Sequence, residues 1–404
     1  MKLIYLSALS SSRMIEQLHK QSGKDPGFAI QKFNRLLAHG LYGNGIDVTI
    51  LSAPPVGRHN SSKIWWKAKN EEEQGVVYRY LSFLNLPVLR QLFLTIGAFF
   101  KVWSLTRNHR VDAVVCDVLN ASLCSATIKA CQITHTQTIG VMTDMPGLMV
   151  RFGNGQKMPF RTKIATKLIK RELENFNKYV FLTEAMNVVN TNHRPYIVME
   201  GMSDSDMASC VKDSNPKAVR VIMYAGGLHE RYGLKKLTEA FMMQKKENLR
   251  LKIFGNGPFV DDLKGKYCME DSRIQYMGVV PNAEIVQAEL DATLLVNPRP
   301  TNEVFTKYSF PSKNIEYMTS GTPLLTTKLP GMPAEYYPYV YLIEEESTEG
   351  YARAMYDALT HTDDELYAYG EHAKRFVLNK KNSYEQTKRV AQLINYEDTN
   401  NRPR

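Results

Sequence analysis

Short, almost wholly apolar runs alternate with stretches of helical periodicity along most of this 404-residue chain. The first run covers residues 3–9, a helical pattern follows at 28–42, and the next run covers 46–51. Such runs are typical of strands buried on both faces of a parallel sheet, because the helices that cross between parallel strands cover both faces. The pattern predicts an α/β fold of βαβ units, with the N-terminal residues as the first strand.

The alternation lapses once, where residues 200–217 are mostly small and polar and show no period. It resumes with apolar runs at 221–224, 251–254, 274–277 and 293–296. The chain is also longer than one typical domain. We predict a Rossmann-like domain at 1–199, a linker at 200–217 and a second Rossmann-like, doubly wound domain at 218–375. Residues 376–404 should form a helix that packs back on the first domain, ending in a disordered tail.

The chain carries 51 Lys and Arg against 41 Asp and Glu, a net charge of +10. Such an excess implies an anionic partner, which is a nucleic acid, an anionic lipid surface or a phosphorylated substrate. The sequence has no module that interleaves aromatic and basic residues, so no nucleic acid is expected. The five cysteines lack Cys-x-x-Cys spacing, which predicts neither disulfides nor a zinc site and favours the reducing cytoplasm.

The most apolar stretch, residues 81–103, is interrupted by polar and charged residues and has no uncharged run long enough to span a membrane. Two interpretations remain open. One is a helix lying on an anionic bilayer, which would make the protein peripheral on the inner face of the plasma membrane. The other is an amphipathic helix that buries its apolar face on the sheet. The basic residues that favour the first interpretation are Arg90, Lys101, Arg107 and Arg110.

The segment PSKNIEYMTSGTPLLTT, residues 311–327, has the features of an anion-binding helix start. Proline fits a first helical turn and the Ser312 oxygen can cap it, which places Lys313 beside backbone N–H groups that attract phosphate. Glu316 lies one turn on, on the same side, where a carboxylate can accept from sugar or ribose hydroxyls. The alternative is an ordinary surface helix whose Lys313 and Glu316 pair with each other.

Other candidates follow predicted strands or begin predicted helices. Gly226 and Gly227 are predicted to form a tight turn after a strand, and Gly27 begins a helix, so each allows the backbone to approach a ligand or is a plain turn glycine. Asp144 follows the strand at 138–142. Ligands collect at the carboxyl ends of strands in open α/β sheets, although an aspartate there is equally suited to a cap or a turn.

Four motifs in order carry a family resemblance: YAGGLHERYGL, LKIFGNGP, IQYMGVVPNAEI and PSKNIEYMTSGTPLL. Together they resemble the carboxyl-terminal donor domain of family 4 glycosyltransferases, especially bacterial enzymes that build capsular polysaccharide or exopolysaccharide. The resemblance is clear over residues 218–330, and the N-terminal half matches only in pattern. It implies a GT-B fold, in which two Rossmann-like, doubly wound domains face each other across a cleft.

The resemblance also implies roles for single residues. Gly226 and Gly227 would let backbone amides approach the donor diphosphate, with Arg231 and Lys313 as its basic ligands and Glu316 on the ribose. Ser312 begins the same helix. The family's Glu-x7-Glu pattern is broken, because Tyr308 stands where the first glutamate is expected. Glu303 is a carboxylate five residues out of register.

The implied function is a retaining, metal-independent transfer of a hexose from a UDP- or GDP-sugar to a glycan acceptor, lipid-linked in the case we favour. No cofactor is expected. Arg231, Lys313 and the helix end would neutralise the leaving diphosphate, and Asp144 would orient the acceptor hydroxyl. Two alternatives share the fold: a sugar-nucleotide 2-epimerase, and a non-catalytic nucleotide-sugar-binding protein. A dehydrogenase is excluded, because the GxGxxG fingerprint with its downstream acidic residue is absent.

Overall fold

The computed structural model describes residues 1–22, 28–57, 61–146, 160–209, 211–212 and 218–396. The chain divides into two compact units, the first formed by residues 1–200 with 383–404 and the second by residues 201–382. The sequence placed these divisions within 200–217 and at 376. The predicted disordered tail lies outside the described residues.

The first unit is built on an eight-stranded sheet in the order β10-β9-β8-β7-β1-β2-β5-β4. All its pairs are parallel except β4 with β5, and a two-stranded ribbon joins β3 to β6. The strands are β1 (Lys2–Ser7), β2 (Asp47–Ser52), β3 (Trp65–Trp66), β4 (Lys69–Glu73), β5 (Val76–Tyr80), β6 (Phe83–Leu84), β7 (Ala113–Asp117), β8 (Gln137–Met142), β9 (Lys178–Phe181) and β10 (Tyr196–Val198).

The inner strands of this sheet are buried along their length, as their unbroken apolar sequences predict. The antiparallel edge strand β4 has four charged residues among its five, and charge at an edge discourages pairing with another chain. The helices are α1 (Ser12–Ser22), α2 (Phe28–Gly43), α3 (Leu89–Thr106), α4 (Ala121–Thr134) and α5 (Phe160–Leu173), with a 3-10 turn at Glu184–Val189.

The stretch at 81–103 forms β6 and most of α3. One face of α3 packs on α4 and buries Leu94, Ala98 and Val102, so the burial expected of an amphipathic helix is confirmed on that face. The opposite face exposes a row of large apolar side chains, each 36–59% accessible. We call this row the apolar stripe: Leu89, Leu92, Phe93, Ile96 and Phe100. None of the described helices is long and apolar enough to cross a bilayer.

The second unit is built on a parallel six-stranded sheet in the order β13-β12-β11-β14-β15-β16. Successive residues of β11 belong to two different apolar clusters, Ile222 to one and Met223 to the other, so helices cover both faces of the sheet. The strands are β11 (Arg220–Gly227), β12 (Leu249–Asn256), β13 (Ile274–Gly278), β14 (Leu294–Asn297), β15 (Leu324–Thr327) and β16 (Tyr341–Ile343).

The helices of the second unit are α6 (Leu234–Met242), α7 (Val260–Asp262), α8 (Cys268–Glu270), α9 (Asn282–Asp291), α10 (Ser312–Ser320), α11 (Thr348–Ala358) and α12 (Asp363–Lys380). A π-helical segment, Leu263–Tyr267, joins α7 to α8, and 3-10 turns occur at Ser205–Ser209, Glu230–Tyr232, Val304–Lys307 and Ala334–Tyr339. The predicted doubly wound α/β architecture is therefore present in both units.

The last helix, α13 (Ser383–Asn395), belongs to the first unit and packs against α2. Gly40 permits the close approach, because a Cβ there would collide with the Ser383 carbonyl. At the far end, the ammonium of Lys178 donates to the carbonyls of Leu393, Ile394 and Tyr396 at 2.7–2.9 Å. A cation on the orphan carbonyls of a helix C-terminus is favourable, so both ends of α13 are held.

Candidate functional site

The second sheet has a switch point between β11 and β14. The chain winds from β11 outward to β12 and β13, then returns to the other side of β11 for β14, β15 and β16. In open α/β sheets ligands bind outside the carboxyl ends of the strands at such a point. Most of the predicted site residues of the second unit follow the ends of these two strands or lie on α10.

Gly226 and Gly227 are the last two residues of β11, and neither has a positive φ. The expectation of a tight turn is therefore wrong, because ladder pairing with Gly255 and Asn256 keeps both residues extended. The amides of a strand point alternately to its two sides, so the Gly227 N–H points to the same side as that of Ala225, toward α10. Because glycine has no side chain, the backbone of Gly226 and Gly227 is uncovered at the switch point.

Two buried side chains of α10 fix this helix to both strands of the switch point. The Tyr317 hydroxyl accepts from the Ala225 N–H at 2.8 Å at the end of β11. The Asn314 carbonyl oxygen accepts from the Asn297 amide at 2.6 Å at the end of β14. Sequence reasoning missed both anchors. The only local signal is their i,i+3 spacing, which matches that of Lys313 and Glu316.

Lys313 and Glu316 are half-buried and lie together, with Nζ and Oε2 3.4 Å apart. This contact is the pairing that the surface-helix interpretation expects. A half-exposed i,i+3 pair of this kind contributes only a few tenths of a kcal/mol, so a ligand competes with it easily. Because Asn314 and Tyr317 hold the helix, the pair stays beside the strand ends whether or not its members contact each other.

The start of α10 is open. Ser312 is its first residue, is exposed and makes no side-chain cap, while Pro311 takes the N-cap position with extended backbone. The predicted capping role of Ser312 is therefore wrong, because a residue already inside the helix is no longer placed to accept from its first amides. With no side-chain cap among the described residues, the first-turn N–H groups remain available to an anion.

Arg231 lies in the 3-10 turn that follows β11 and pairs with Glu303, with 2.5 Å between Nη2 and Oε2. Its guanidinium also stacks on the Phe305 ring, 4.9 Å from the centroid. A second arginine, Arg299, stacks on Tyr232 at 5.1 Å and on Phe305 at 5.9 Å. Because two guanidinium groups contact the Phe305 ring, the region after β11 and β14 is cationic, although Glu303 supplies one carboxylate.

Glu303, which is out of register in the sequence, therefore lies at the site as the partner of Arg231, and the sequence predicts no role for Arg299. The signal for Arg299 was its place two residues after β14, at the carboxyl end of a switch-point strand. Tyr308 ends the 3-10 turn at Val304–Lys307 and is half-buried, so no carboxylate stands at the first position of the broken Glu-x7-Glu pattern.

Two buried tyrosine hydroxyls support the site as neutral groups. Burial raises the pKa of Tyr317 well above its ordinary value, with Glu289 adding to the effect. Burial also raises the pKa of Tyr224, against the opposing influence of Arg299. Both hydroxyls are therefore protonated at every physiological pH. The Tyr224 hydroxyl donates to the Gly227 carbonyl at 2.9 Å, which fixes the end of β11.

Two predicted residues do not belong to the described part of the second unit. Asp144 belongs to the first unit, where it is half-buried two residues after β8. Gly27 lies outside the described residues. Within the ranges that the structure describes, no three His, Cys, Asp or Glu side chains gather as a metal site would require.

Residues 219–361 match the family described as Glycosyl transferases group 1. The match spans β11 to α11 and includes every site residue of the second unit. This sequence match lies within the second unit. No curated protein matches the chain.

Similar solved structures cover both units of the chain. Sucrose-phosphate synthase from Thermosynechococcus elongatus is 14% identical over 98% of both chains, with a TM-score of 0.67. Anabaena HepE in complex with UDP is 14% identical over 98% of this chain and 100% of its own, at 0.62. The E. coli trehalose-6-phosphate protein bound with UDP-2-fluoro glucose is 10% identical, with the same coverage, at 0.63. The expected GT-B fold, with two Rossmann-like domains, is confirmed.

Proposed function

We propose that this protein is a retaining glycosyltransferase that moves a hexose from a nucleotide-diphosphate sugar to a lipid-linked glycan acceptor during surface polysaccharide synthesis. The observation that carries the proposal is the cationic switch point of the second unit. There, bare backbone at Gly227, the open start of α10, and the side chains of Arg231 and Lys313 surround the ends of two strands. That combination suits a diphosphate better than a neutral ligand.

The proposed chemistry is the neutralisation of the leaving group. Breaking the bond between the sugar and the phosphate builds negative charge on the diphosphate, and positioned cations and amides stabilise that charge without a metal. Arg231 retains N–H donors for this task, since a guanidinium has five and only one nitrogen bonds to Glu303. In a front-face reaction the leaving phosphate takes the acceptor proton, and Asp144 orients the acceptor hydroxyl.

The proposed donor is a UDP-hexose, with GDP as the second choice. Support comes from the similar structures, of which HepE holds UDP and the E. coli protein holds UDP-2-fluoro glucose. Glu316 is the carboxylate assigned to the ribose hydroxyls. Tyr308 replaces the glutamate that other family members are expected to place near the hexose, so the contact to the sugar must differ in this protein.

The proposed acceptor is lipid-linked, and the enzyme works as a peripheral protein on the cytoplasmic face of the membrane. Support comes from the distribution of charge. The first unit has 29 Lys and Arg against 16 Asp and Glu, whereas the second has 22 against 25, giving net charges of +13 and −3. The apolar stripe of α3 lies on the basic unit, which is the combination that binds anionic bilayers.

A donor panel tests the proposed function. UDP-, GDP- and ADP-sugars are incubated with the protein and a lipid-linked acceptor, and transfer is followed with and without EDTA. We expect transfer from one nucleotide class, with retention of the anomeric configuration, unchanged by the chelator. Epimerised donor without transfer would identify a 2-epimerase, and binding without hydrolysis or transfer would identify a non-catalytic protein. Loss of activity in EDTA, restored by magnesium or manganese, would contradict metal independence.

A further inference from the structure

The first unit contains a cavity of about 390 Å³ at the carboxyl edge of its sheet. It opens beside the ends of β2 and β5, and its walls come from α1, the β3 ribbon and the start of β4. Cavities of roughly 300–1,000 Å³ hold small ligands. The residues used below are Lys63, Trp65, Trp66, Lys67, Lys69 and Tyr80.

The wall of this cavity carries three lysines and no carboxylate. Lys69 is compensated by Glu71, with 2.6 Å between Nζ and Oε1. Lys63 lies over the Trp66 ring, 4.8 Å from the centroid, and no carboxylate in the described part of the chain pairs with Lys63 or Lys67. Two ammonium groups at one opening without a counter-charge favour an anionic ligand.

A buried donor in the wall is also unsatisfied. Trp66 is 4% exposed and its indole N–H has no acceptor among the residues that the structure describes. Buried N–H groups rarely lack a partner, because leaving one unpaired costs more than making the bond gains. The Trp66 N–H is therefore a polar group of a wall residue that the described protein atoms leave unpaired.

The cavity is continuous with the apolar stripe. Trp65 is 40% exposed and its ring meets that of Phe93 edge to face, with centroids 6.1 Å apart. Phe93 is part of the stripe, so cations and apolar side chains lie next to each other on one surface. A ligand that suits both has an anionic head and an apolar chain.

We propose that this cavity binds the phosphate head of the lipid-linked acceptor, with the apolar chain of the lipid along the stripe. The inference rests on the proposed function, since it names the place at which that acceptor is held. The ligand class is a lipid diphosphate rather than a bulk phospholipid, because a cavity of this volume takes one head group whereas a bilayer needs only a charged surface.

Farnesyl diphosphate is the probe, and calorimetry of the full-length protein is the measurement. The double variant Lys63→Gln/Lys67→Gln should weaken its binding by about tenfold or more, because each lysine contributes a charge-assisted contact. Lys129→Gln, an exposed lysine on α4, is the matched control and should change binding less than about twofold. Unchanged affinity in the double variant would overturn the proposal.

Further arms separate the two parts of the ligand. Ile96→Ser should weaken the binding of farnesyl diphosphate but not that of pyrophosphate. Farnesol should bind to the wild type far more weakly than farnesyl diphosphate does. If pyrophosphate binds as tightly as farnesyl diphosphate, the cavity is an ion site and the lipid assignment is wrong. If the lysine variants no longer bind phosphatidylglycerol vesicles but still bind farnesyl diphosphate, the lysines contact a bilayer surface and the proposal also fails.

A UDP titration of the same samples distinguishes this inference from the proposed function. Wild-type protein and the lysine variants should bind UDP equally, because the lysines belong to the first unit. Absence of UDP binding by the wild type would contradict the proposed function. Normal UDP binding with lysine-independent farnesyl diphosphate binding would contradict only the cavity assignment.

Discussion

The switch points of the two sheets differ in charge: that of the second unit has cationic side chains, and that of the first has a buried carboxyl group. In the second unit, Arg231 and Arg299 follow β11 and β14, and the open start of α10 adds amides and Lys313. In the first unit the switch point lies between β1 and β7, and β7 ends at Asp117, which is only 3% exposed. Burial raises the pKa of that carboxyl to about 6.

The net charges of the units run the other way, −3 for the second and +13 for the first. An anionic ligand is therefore expected where a few cations are positioned, on the unit whose overall charge is negative. The excess charge of the first unit acts at longer range on an anionic bilayer. Charge totals thus indicate the kind of partner, and positioned charges indicate the site.

The largest effect should come from Lys313→Ala. The variant loses a charge aimed at the leaving diphosphate, which should raise the activation barrier by about 2–4 kcal/mol and lower kcat by a factor of roughly 30 to 1,000. Steady-state kinetics measures it, with the exposed Lys245→Ala as the matched control. Turnover near that of the wild type would show that Lys313 is only the surface partner of Glu316.

Asp117→Asn tests the switch point of the first unit, and the quantity compared is the stability of the fold. The folded-state pKa of Asp117 lies above the ordinary carboxyl value. Its contribution to the stability of the fold is therefore full below about pH 4 and is lost as pH rises through about 6. The free energy of unfolding of the neutral variant should therefore exceed that of the wild type at pH 8 by up to about 3 kcal/mol, at 1.36 kcal/mol per pKa unit. The two proteins should be equally stable near pH 4.

Melting temperatures across this pH range measure the difference. The exposed Asp47→Asn, which removes only a surface pair with Lys2, is the control. A variant that is less stable than the wild type at pH 8 would mean that Asp117 is charged and held by its neighbours.

Glu316→Ala should weaken donor binding by about 1–3 kcal/mol, because paired ribose hydroxyls lose their acceptor. Glu316→Gln retains one acceptor oxygen and should fall between the alanine variant and the wild type. Calorimetric titration with UDP measures both. Equal UDP affinity in all three proteins would show that the carboxylate serves only its contact with Lys313.

The smallest effect concerns α3, whose two faces offer a matched pair. Ile96→Ser removes an exposed side chain and should reduce binding to anionic liposomes by about 1–2 kcal/mol with an unchanged melting temperature. Leu94→Ser alters the buried face, at 2% exposure, and should lower the melting temperature.

Sedimentation with anionic and neutral liposomes, repeated at high salt, measures membrane binding. Salt should release the wild type, since electrostatic attraction falls off within a Debye length of about 8 Å. Equal sedimentation with neutral vesicles, or none with anionic ones, would contradict the peripheral-membrane part of the account.

Much of the fold was predictable because its signals are local. Buried parallel strands carry unbroken apolar runs, and crossing helices carry their own period, so the residue order alone indicates doubly wound units. The pairing of Lys313 with Glu316 was also predictable, since residues three apart on a helix are neighbours. Gly226 and Gly227 were misjudged as a turn because glycine allows a turn without requiring one, and ladder pairing decided between the two.

The rest depended on contacts between distant parts of the chain. The bond from Ala225 to Tyr317 spans 92 positions and that from Arg231 to Glu303 spans 72, and neither leaves a local pattern. The faces of α3 could not be assigned for a related reason. Its sequence is apolar nearly all round, so only the packing of α4 distinguishes Leu94 from Ile96.

The central claim is that the second unit's switch point holds the donor diphosphate. Titration of UDP and uridine into the wild type and into Arg231→Ala/Lys313→Ala tests it most directly. We expect the double variant to bind UDP about 100-fold more weakly or worse, since two charge-assisted contacts are lost, while the affinity for uridine is unchanged. UDP affinity unchanged in this variant, or lost instead in Lys63→Gln/Lys67→Gln, would contradict it.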